Sequence, residues 1–228
     1  MIPLKNMTPR RSLPVITLLL IAANAIVFVY QISLAPAASD AFIRTYALVP
    51  SKIPLALAGS HYTLAQALVP LFTCMFLHGG FLHILGNMWF LWIFGGNVEE
   101  RFGSAVYLLF YLVCGIASSV SQLLFSWGSH IPSLGASGAI SGVLGAYIMF
   151  FPRSRILTLV PLFIIWFTAR VPAIIFIGLW FVLQFLSGLS SLGAASSGGV
   201  AWWAHVGGFL TGLFLARAAA IRARAVNY

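Results

Sequence analysis

Six stretches of about 20 residues, each almost free of charge, govern what this chain can fold into. The segment VITLLLIAANAIVFVY, residues 15–30, is representative: it holds one asparagine and no charged residue, glycine or proline. A run this long matches the roughly 30 Å hydrocarbon thickness of a bilayer, which a helix crosses in about 20 residues. Comparable runs lie at 13–34, 80–98, 104–127, 137–151, 171–190 and 201–219. With 61% hydrophobic and 7% charged residues, the chain cannot cover a water-facing surface. The fold class expected is all-α: a polytopic membrane bundle of six transmembrane helices. Residues 1–228 read as one membrane domain, with a cytosolic segment at 1–12, a helical core at 13–219 and a basic cytosolic tail at 220–228.

The formal net charge of +9 does not point to nucleic acid, because the cations sit in short breaks between apolar runs rather than on one face. If six spans alternate, Lys5, Arg10, Arg11, Arg101, Arg153, Arg155, Arg170, Arg217, Arg222 and Arg224 fall on one side. Only Arg44 and Lys52 fall on the other, which predicts that both termini are cytosolic. Lys5, Arg10 and Arg11, an apolar run and LAPAAS imitate a signal peptide. The run of about 20 residues exceeds the usual 7–15, so it reads as an uncleaved first span. Cys74 and Cys114 are isolated and apolar-flanked, and read as buried structural thiols. A long loop is expected at 35–69. ILTLVPLFIIWFTARVP, before the fifth span, reads as partly interfacial. SGLSSLGAASSGG at 187–199 reads as a flexible loop, and its nearness to His205 suits it to cap a site.

Polar groups inside apolar helices are costly, so each needs a reason. From Ser137 to Arg153 a helix rises about 24 Å, short of the hydrocarbon thickness. Ser137 therefore heads a truncated helix, and residues 128–136 must dip to reach it, covered by protein or lining a wet cavity. His205 lies about 18 Å above Arg217, while His83 and Asn87 lie about 24 and 18 Å above Glu99. All four reach a similar level in the outer half. The serine shares a stripe with Ser141 and Gly145, beside Gly138 and Gly142, and the histidine shares one with Gly208 and Gly212. Small residues four apart allow close backbone approach in lipid. The two stripes thus predict contact between the fourth and sixth spans, with imidazole near hydroxyl. A neutral imidazole activates a serine, and acyl transfer also needs donors for an oxyanion. The Ser137 backbone N–H, the Asn87 amide and the His83 imidazole are candidates. Only Asp40, Glu99 and Glu100 are acidic, none at this depth, which favours a Ser–His dyad over a triad. Ser118 and Gln122, i and i+4 on the third span, and His78 are candidates for retaining water.

At these residues the sequence resembles the rhomboid intramembrane serine proteases. HGGFLHILGNMWFLWIFGGNVEERFG, GASG at 135–138 and AHVGGFLTG at 204–212 carry the resemblance, over about residues 70–215. It implies a six-helix bundle with Ser137 as nucleophile and His205 as general base and acid. Asn87, His83 and the Ser137 backbone N–H would stabilise the oxyanion, with Glu99, Arg101 and Gly103 as a structural element. It implies serine endopeptidase activity on single-pass membrane-protein substrates in the lipid bilayer, cut near small residues in helix-weak segments, without metal or other cofactor. The expected location is a multi-pass position in a bacterial cytoplasmic membrane. Two positions depart from many members. Val69 and Pro70 stand where a Trp-Arg pair is common, and Ser141 stands where an aromatic stacks on the histidine in some, so His205 must be held otherwise.

Other classes fit less of the pattern. A metal site from His78, His83 and His205 lacks HExxH and a nearby thiolate or carboxylate. A transporter normally carries internal repeats and a charged midplane site, and neither is evident. A catalytically inactive relative that binds membrane proteins remains the main alternative.

Overall fold

The computed structural model describes residues 1–162, 165–192 and 200–226, with side chains to Arg222. Ten helices follow one another among these residues. The first, α1 (Val15–Ser33), leads to four short ones: α2 (Pro36–Tyr46), α3 (Lys52–Leu57), α4 (Leu64–Leu68) and α5 (Pro70–Thr73). The bundle continues with α6 (Phe81–Phe102), α7 (Ser104–Phe125), α8 (Ser137–Phe150), α9 (Ala173–Ser191) and α10 (Trp202–Val226). Five of them, α1, α6, α7, α9 and α10, are long and apolar enough to cross a membrane, whereas α8 is shorter. The expectation of a polytopic helical bundle holds.

The short helix lies at the centre. Every residue from Gly138 to Tyr147 is buried, so the helices around α8 relieve it of any need to match the bilayer. Its seam with α10 is set by glycine. A Cβ on Gly208 would overlap the Gly138 carbonyl, one on Gly212 the Gly142 carbonyl, and one on Gly145 the Phe209 carbonyl. The two backbones therefore touch directly, and no other residue fits at these places.

At one end of the bundle a single carboxylate ties three helices. The N-terminus of α1 has no side-chain cap of its own. Glu99 of α6 accepts hydrogen bonds from the backbone N–H of Ile16 (2.9 Å) and Thr17 (2.8 Å), and from the hydroxyls of Thr17 and Ser104 (2.8 Å each). The negative charge also complements the positive end of the α1 dipole. Gly103, at φ +78°, turns the chain from α6 into α7 in one residue, a conformation that disfavours a side chain.

At the other end the segment before α8 dips as the truncated helix requires. Its backbone is satisfied by protein: Leu48 and Ser133 exchange bonds (3.0 and 2.7 Å), Ser51 N–H donates to Ser129 O (2.9 Å), and Gly135 N–H donates to Cys74 O (2.9 Å). The expected long loop at 35–69 thus contains α2, α3 and α4, and the link between α2 and α3, through Leu48 and Ser51, braces this segment.

Three regions carry detail that the sequence did not show. In ILTLVPLFIIWFTARVP, expected to be partly interfacial, the described residues are strand: β2 (Arg155–Leu162) and β3 (Ile165–Pro172) pair antiparallel, and β1 (Ile2–Asn6), from the expected cytosolic segment at 1–12, pairs with β2. Backbone pairing is the only way to satisfy extended chain beside a membrane. Residues 220–226, within the expected basic tail at 220–228, continue α10. Of the expected loop at 187–199, residues 187–191 belong to α9, and 193–199, with the proposed cap, lie outside the described residues.

The glycine seam is testable by thermal unfolding in detergent. Gly212→Val should destabilise the protein by at least about 3 kcal/mol. Gly178→Ala, on α9 with no atom within 4 Å of the added carbon, should leave stability unchanged or raise it by up to about 1 kcal/mol.

Candidate active site

Ser137 is the first residue of α8, and its position follows from the dipping segment. His205 lies in the first turn of α10. The glycine seam brings them together: His205 Nε2 is 2.8 Å from Ser137 Oγ. The imidazole is only 7% exposed, and its other nitrogen, Nδ1, is 2.6 Å from Gln184 Oε1 on α9. An amide oxygen only accepts, so Nδ1 carries the hydrogen and Nε2 presents its lone pair to the serine hydroxyl. A hydroxyl bonded to a base of fixed tautomer is the arrangement that makes a serine nucleophilic.

Gln184 was not among the residues marked in the sequence, although a lone amide in an otherwise apolar span is itself a signal. It supplies a hold on His205 that Ser141 cannot, because the Ser141 hydroxyl turns back to the Ser137 carbonyl (2.6 Å). Trp180, one helical turn before Gln184, has its ring centroid 5.8 Å from that of His205, and Trp202 approaches edge-on at 6.3 Å.

On the opposite wall α6 presents His83 and Asn87. Gly79 N–H donates to His83 Nδ1 (3.3 Å), which leaves Nε2 as the protonated nitrogen. A Cβ built on Gly135 would lie 2.7 Å from His83 Nε2 and 3.5 Å from Asn87 Nδ2. Two N–H donors therefore converge on the strand of chain that leads into Ser137. Asn87 Nδ2 is buried and has no hydrogen-bond partner among the described residues. An orphaned buried donor costs about 1–3 kcal/mol unless something arrives to accept from it. The backbone N–H of Ser137, at the start of α8, lacks an intrahelical acceptor as well.

A cavity of about 650 Å³ joins these groups. Its walls include His83, Gly86, Asn87 and Phe90 of α6, Ser137, Ser141 and Leu144 of α8, Trp180 of α9, and His205.

None of the three candidates for water retention is among the residues that line this cavity. His78 is fully buried behind this wall, edge-on to His83 (5.2 Å) and Phe28, and does not line the cavity. Its backbone is held by Gln31, whose amide donates to the His78 carbonyl (2.7 Å). Ser118 donates to Gly115 O (2.7 Å) and packs beneath Gly138. Gln122 accepts from the Ala204 N–H (3.2 Å) at the start of α10 and lines an adjoining cavity of about 350 Å³, which shares Ile131, Ser133, Val200 and Ala201 with the first. Among the described residues no three His, Cys, Asp or Glu side chains group as a metal site would require.

Fold and site together define an integral membrane protein whose buried central helix opens with a serine bonded to a histidine. The Rhomboid domain matches residues 65–222, and the chain belongs to the rhomboid family. RHOMBOID-like protein 5 of Arabidopsis thaliana is 36% identical over 146 residues, which cover 64% of this chain and 42% of that protein. Rhomboid protease GluP of Bacillus subtilis is 36% identical over 148 residues, covering 65% of this chain and 25% of that protein. Rhomboid protein 1, mitochondrial, of Saccharomyces cerevisiae is 37% identical over 89 residues, 37% of this chain and 26% of that protein. The chain spans less than half the length of each of these relatives.

Replacing Gly135 by alanine should push the His83 ring aside and strain a backbone at φ +123°. In spectra of ¹⁵N-histidine-labelled protein, the His83 signals should shift while those of His130 stay in place. An unmoved His83 would contradict the convergence of donors described above.

Proposed function

We propose that this protein is an intramembrane serine endopeptidase that uses Ser137 and His205 as a catalytic dyad. The observation that carries the reading is the 2.8 Å bond between Ser137 Oγ and His205 Nε2, made inside a cavity where Asn87 Nδ2 has no hydrogen-bond partner among the described residues. Membership of the rhomboid family and likeness to the protease GluP support peptide hydrolysis as the chemistry.

In this reading the serine oxygen attacks the carbonyl carbon of a peptide bond and its proton passes to His205 Nε2. The developing oxyanion accepts from Asn87 Nδ2, His83 Nε2–H and the Ser137 N–H. Collapse of the tetrahedral intermediate expels the amine, which takes the proton from His205. Water, deprotonated by the same imidazole, then hydrolyses the acyl-enzyme. Gln184 acts as a positioning residue: by accepting from Nδ1–H it keeps the imidazole in the tautomer that serves Ser137.

Substrates are membrane proteins whose spanning segment unwinds locally, since a regular helix engages its carbonyls in its own hydrogen bonds. Both termini lie on the cytosolic side of the membrane, in a bacterial cell the cytoplasmic membrane, as the cationic breaks favour.

With purified protein and a single-pass reporter in liposomes, wild type should cleave, and Ser137→Ala and His205→Ala should each abolish cleavage at unchanged thermal stability. Full activity of Ser137→Ala would overturn the reading. Asn87→Ala should lower kcat by about 10²–10³-fold. Gln184→Met, which removes the acceptor at similar volume, should lower kcat by about 10–10²-fold with KM little changed, whereas Gln184→Glu, which restores an acceptor, should recover most of the rate.

A further inference from the structure

At the end of α8 farthest from Ser137 lies a third cavity, of about 950 Å³. Phe150, Phe151 and Pro152 form part of its wall together with Met7, Thr8 and Pro9, and three arginines are among the residues that line it: Arg153, Arg155 and Arg170. Arg101 stands close by, over the Phe150 ring at 5.6 Å.

Among the described residues no carboxylate is paired with these charges. The chain contains only three acidic side chains, Asp40, Glu99 and Glu100. Glu99 is engaged by the α1 N-terminus and Ser104, and Glu100 accepts from the Arg11 backbone N–H (3.1 Å). Asp40 is on α2, after the far end of α1. Three like charges sharing one cavity repel, and an anion entering it is attracted by all of them.

The cavity is also the foot of an apolar surface. In the three-stranded sheet, Ile2 (44%) and Trp166 (59%) are exposed on the face that carries Arg155 and Arg170, and Leu162 (54%), Ile165 (64%) and Phe167 (45%) on the opposite face. The sheet is fixed in direction by α6. Trp89 Nε1 donates to Pro3 O (2.7 Å), the Asn6 amide donates to Ile93 O, and Asn97 Nδ2 donates to Thr8 O (3.2 Å). Trp89 and Asn97 are about 12 Å apart along the helix axis. Strand β1 therefore runs beside α6 from its middle toward its charged end, so the apolar part of the sheet lies deeper along the bundle than the arginines do. In water an exposed cluster of this kind would drive aggregation. Beside a bilayer it is solvated by acyl chains, and the arginines fall at headgroup depth.

We propose that the cavity lined by Arg153, Arg155 and Arg170 binds the phosphate of an anionic phospholipid, with the acyl chains lying along the exposed sheet. Guanidinium groups match a phosphate bidentately, and basic pockets at the ends of spanning helices are suited to anionic headgroups. A free phosphate ion would satisfy the charges but leave the apolar surface uncovered, which is why the lipid is the better occupant.

Native mass spectrometry of the full-length protein tests this, with equimolar phosphatidylglycerol and phosphatidylcholine supplied in detergent. Wild type should retain phosphatidylglycerol several-fold in excess. The Arg153→Gln, Arg155→Gln, Arg170→Gln triple variant should lose that excess. A charge-matched triple variant outside the cavity, Arg11→Gln, Arg217→Gln, Arg222→Gln, should keep it. Equal retention of the two lipids by wild type would overturn the proposal. So would an equal loss in both triple variants, which would mark a diffuse field, or displacement of the lipid by millimolar inorganic phosphate, which would mark an ion site. Circular dichroism and thermal unfolding of each variant establish that the bundle is intact, and Arg170→Gln alone, which should lower the excess measurably, serves if the triple variant does not fold.

Discussion

The direct backbone contact between α8 and α10 is the constraint from which the rest follows. Gly208 and Gly212 lie against the carbonyls of Gly138 and Gly142, a separation that no larger side chain permits. Fixing the two helices at this distance fixes the serine at the head of one and the histidine in the first turn of the other within a hydrogen bond. Membrane helices gain little from the hydrophobic effect when they associate in lipid, so close van der Waals contact along glycine stripes supplies the attraction. The same contact that holds the bundle together sets the geometry of the site.

A short central helix creates a second demand, because the chain entering it must descend below the level at which water satisfies a backbone. The bonds from Leu48, Ser51 and Cys74 to the segment before Ser137 meet that demand. They also leave Gly135 pressed against His83 and Asn87, so that bracing the loop and aiming donors at the serine are one structural act. At the opposite end Glu99 gathers α1, α6 and the start of α7. The scaffold is thus pinned at both ends by polar contacts and in the middle by glycine.

Much of this was legible in the sequence. The six apolar runs became helices whose limits differ by a few residues, as with 13–34 against Val15–Ser33 and 171–190 against Ala173–Ser191, except that α10 runs on past 219 to Val226. Helical stripes and axial rise brought Ser137, His205, His83 and Asn87 to one place, because depth and face are both local properties of a helix. The sheet was not legible. Residues 155–172 are apolar on both faces, so the two-residue alternation that marks a strand is missing, and β1 is only five residues long. Gln184 was passed over because its meaning depends on a partner 21 residues away on another helix, whose rotation the sequence does not fix. His78, Ser118 and Gln122 do not line the cavity that holds Ser137, although Ser118 packs on Gly138 and Gln122 accepts from the Ala204 N–H beside His205.

The central claim is that Ser137 is activated by its buried partner. Reaction with a fluorophosphonate, followed by peptide mapping of the adduct, tests it most directly. The account predicts a single phosphonylated serine, Ser137, with labelling at least about 10²-fold slower in His205→Ala. Modification spread over surface serines, or labelling that is equally fast without the imidazole, would contradict it.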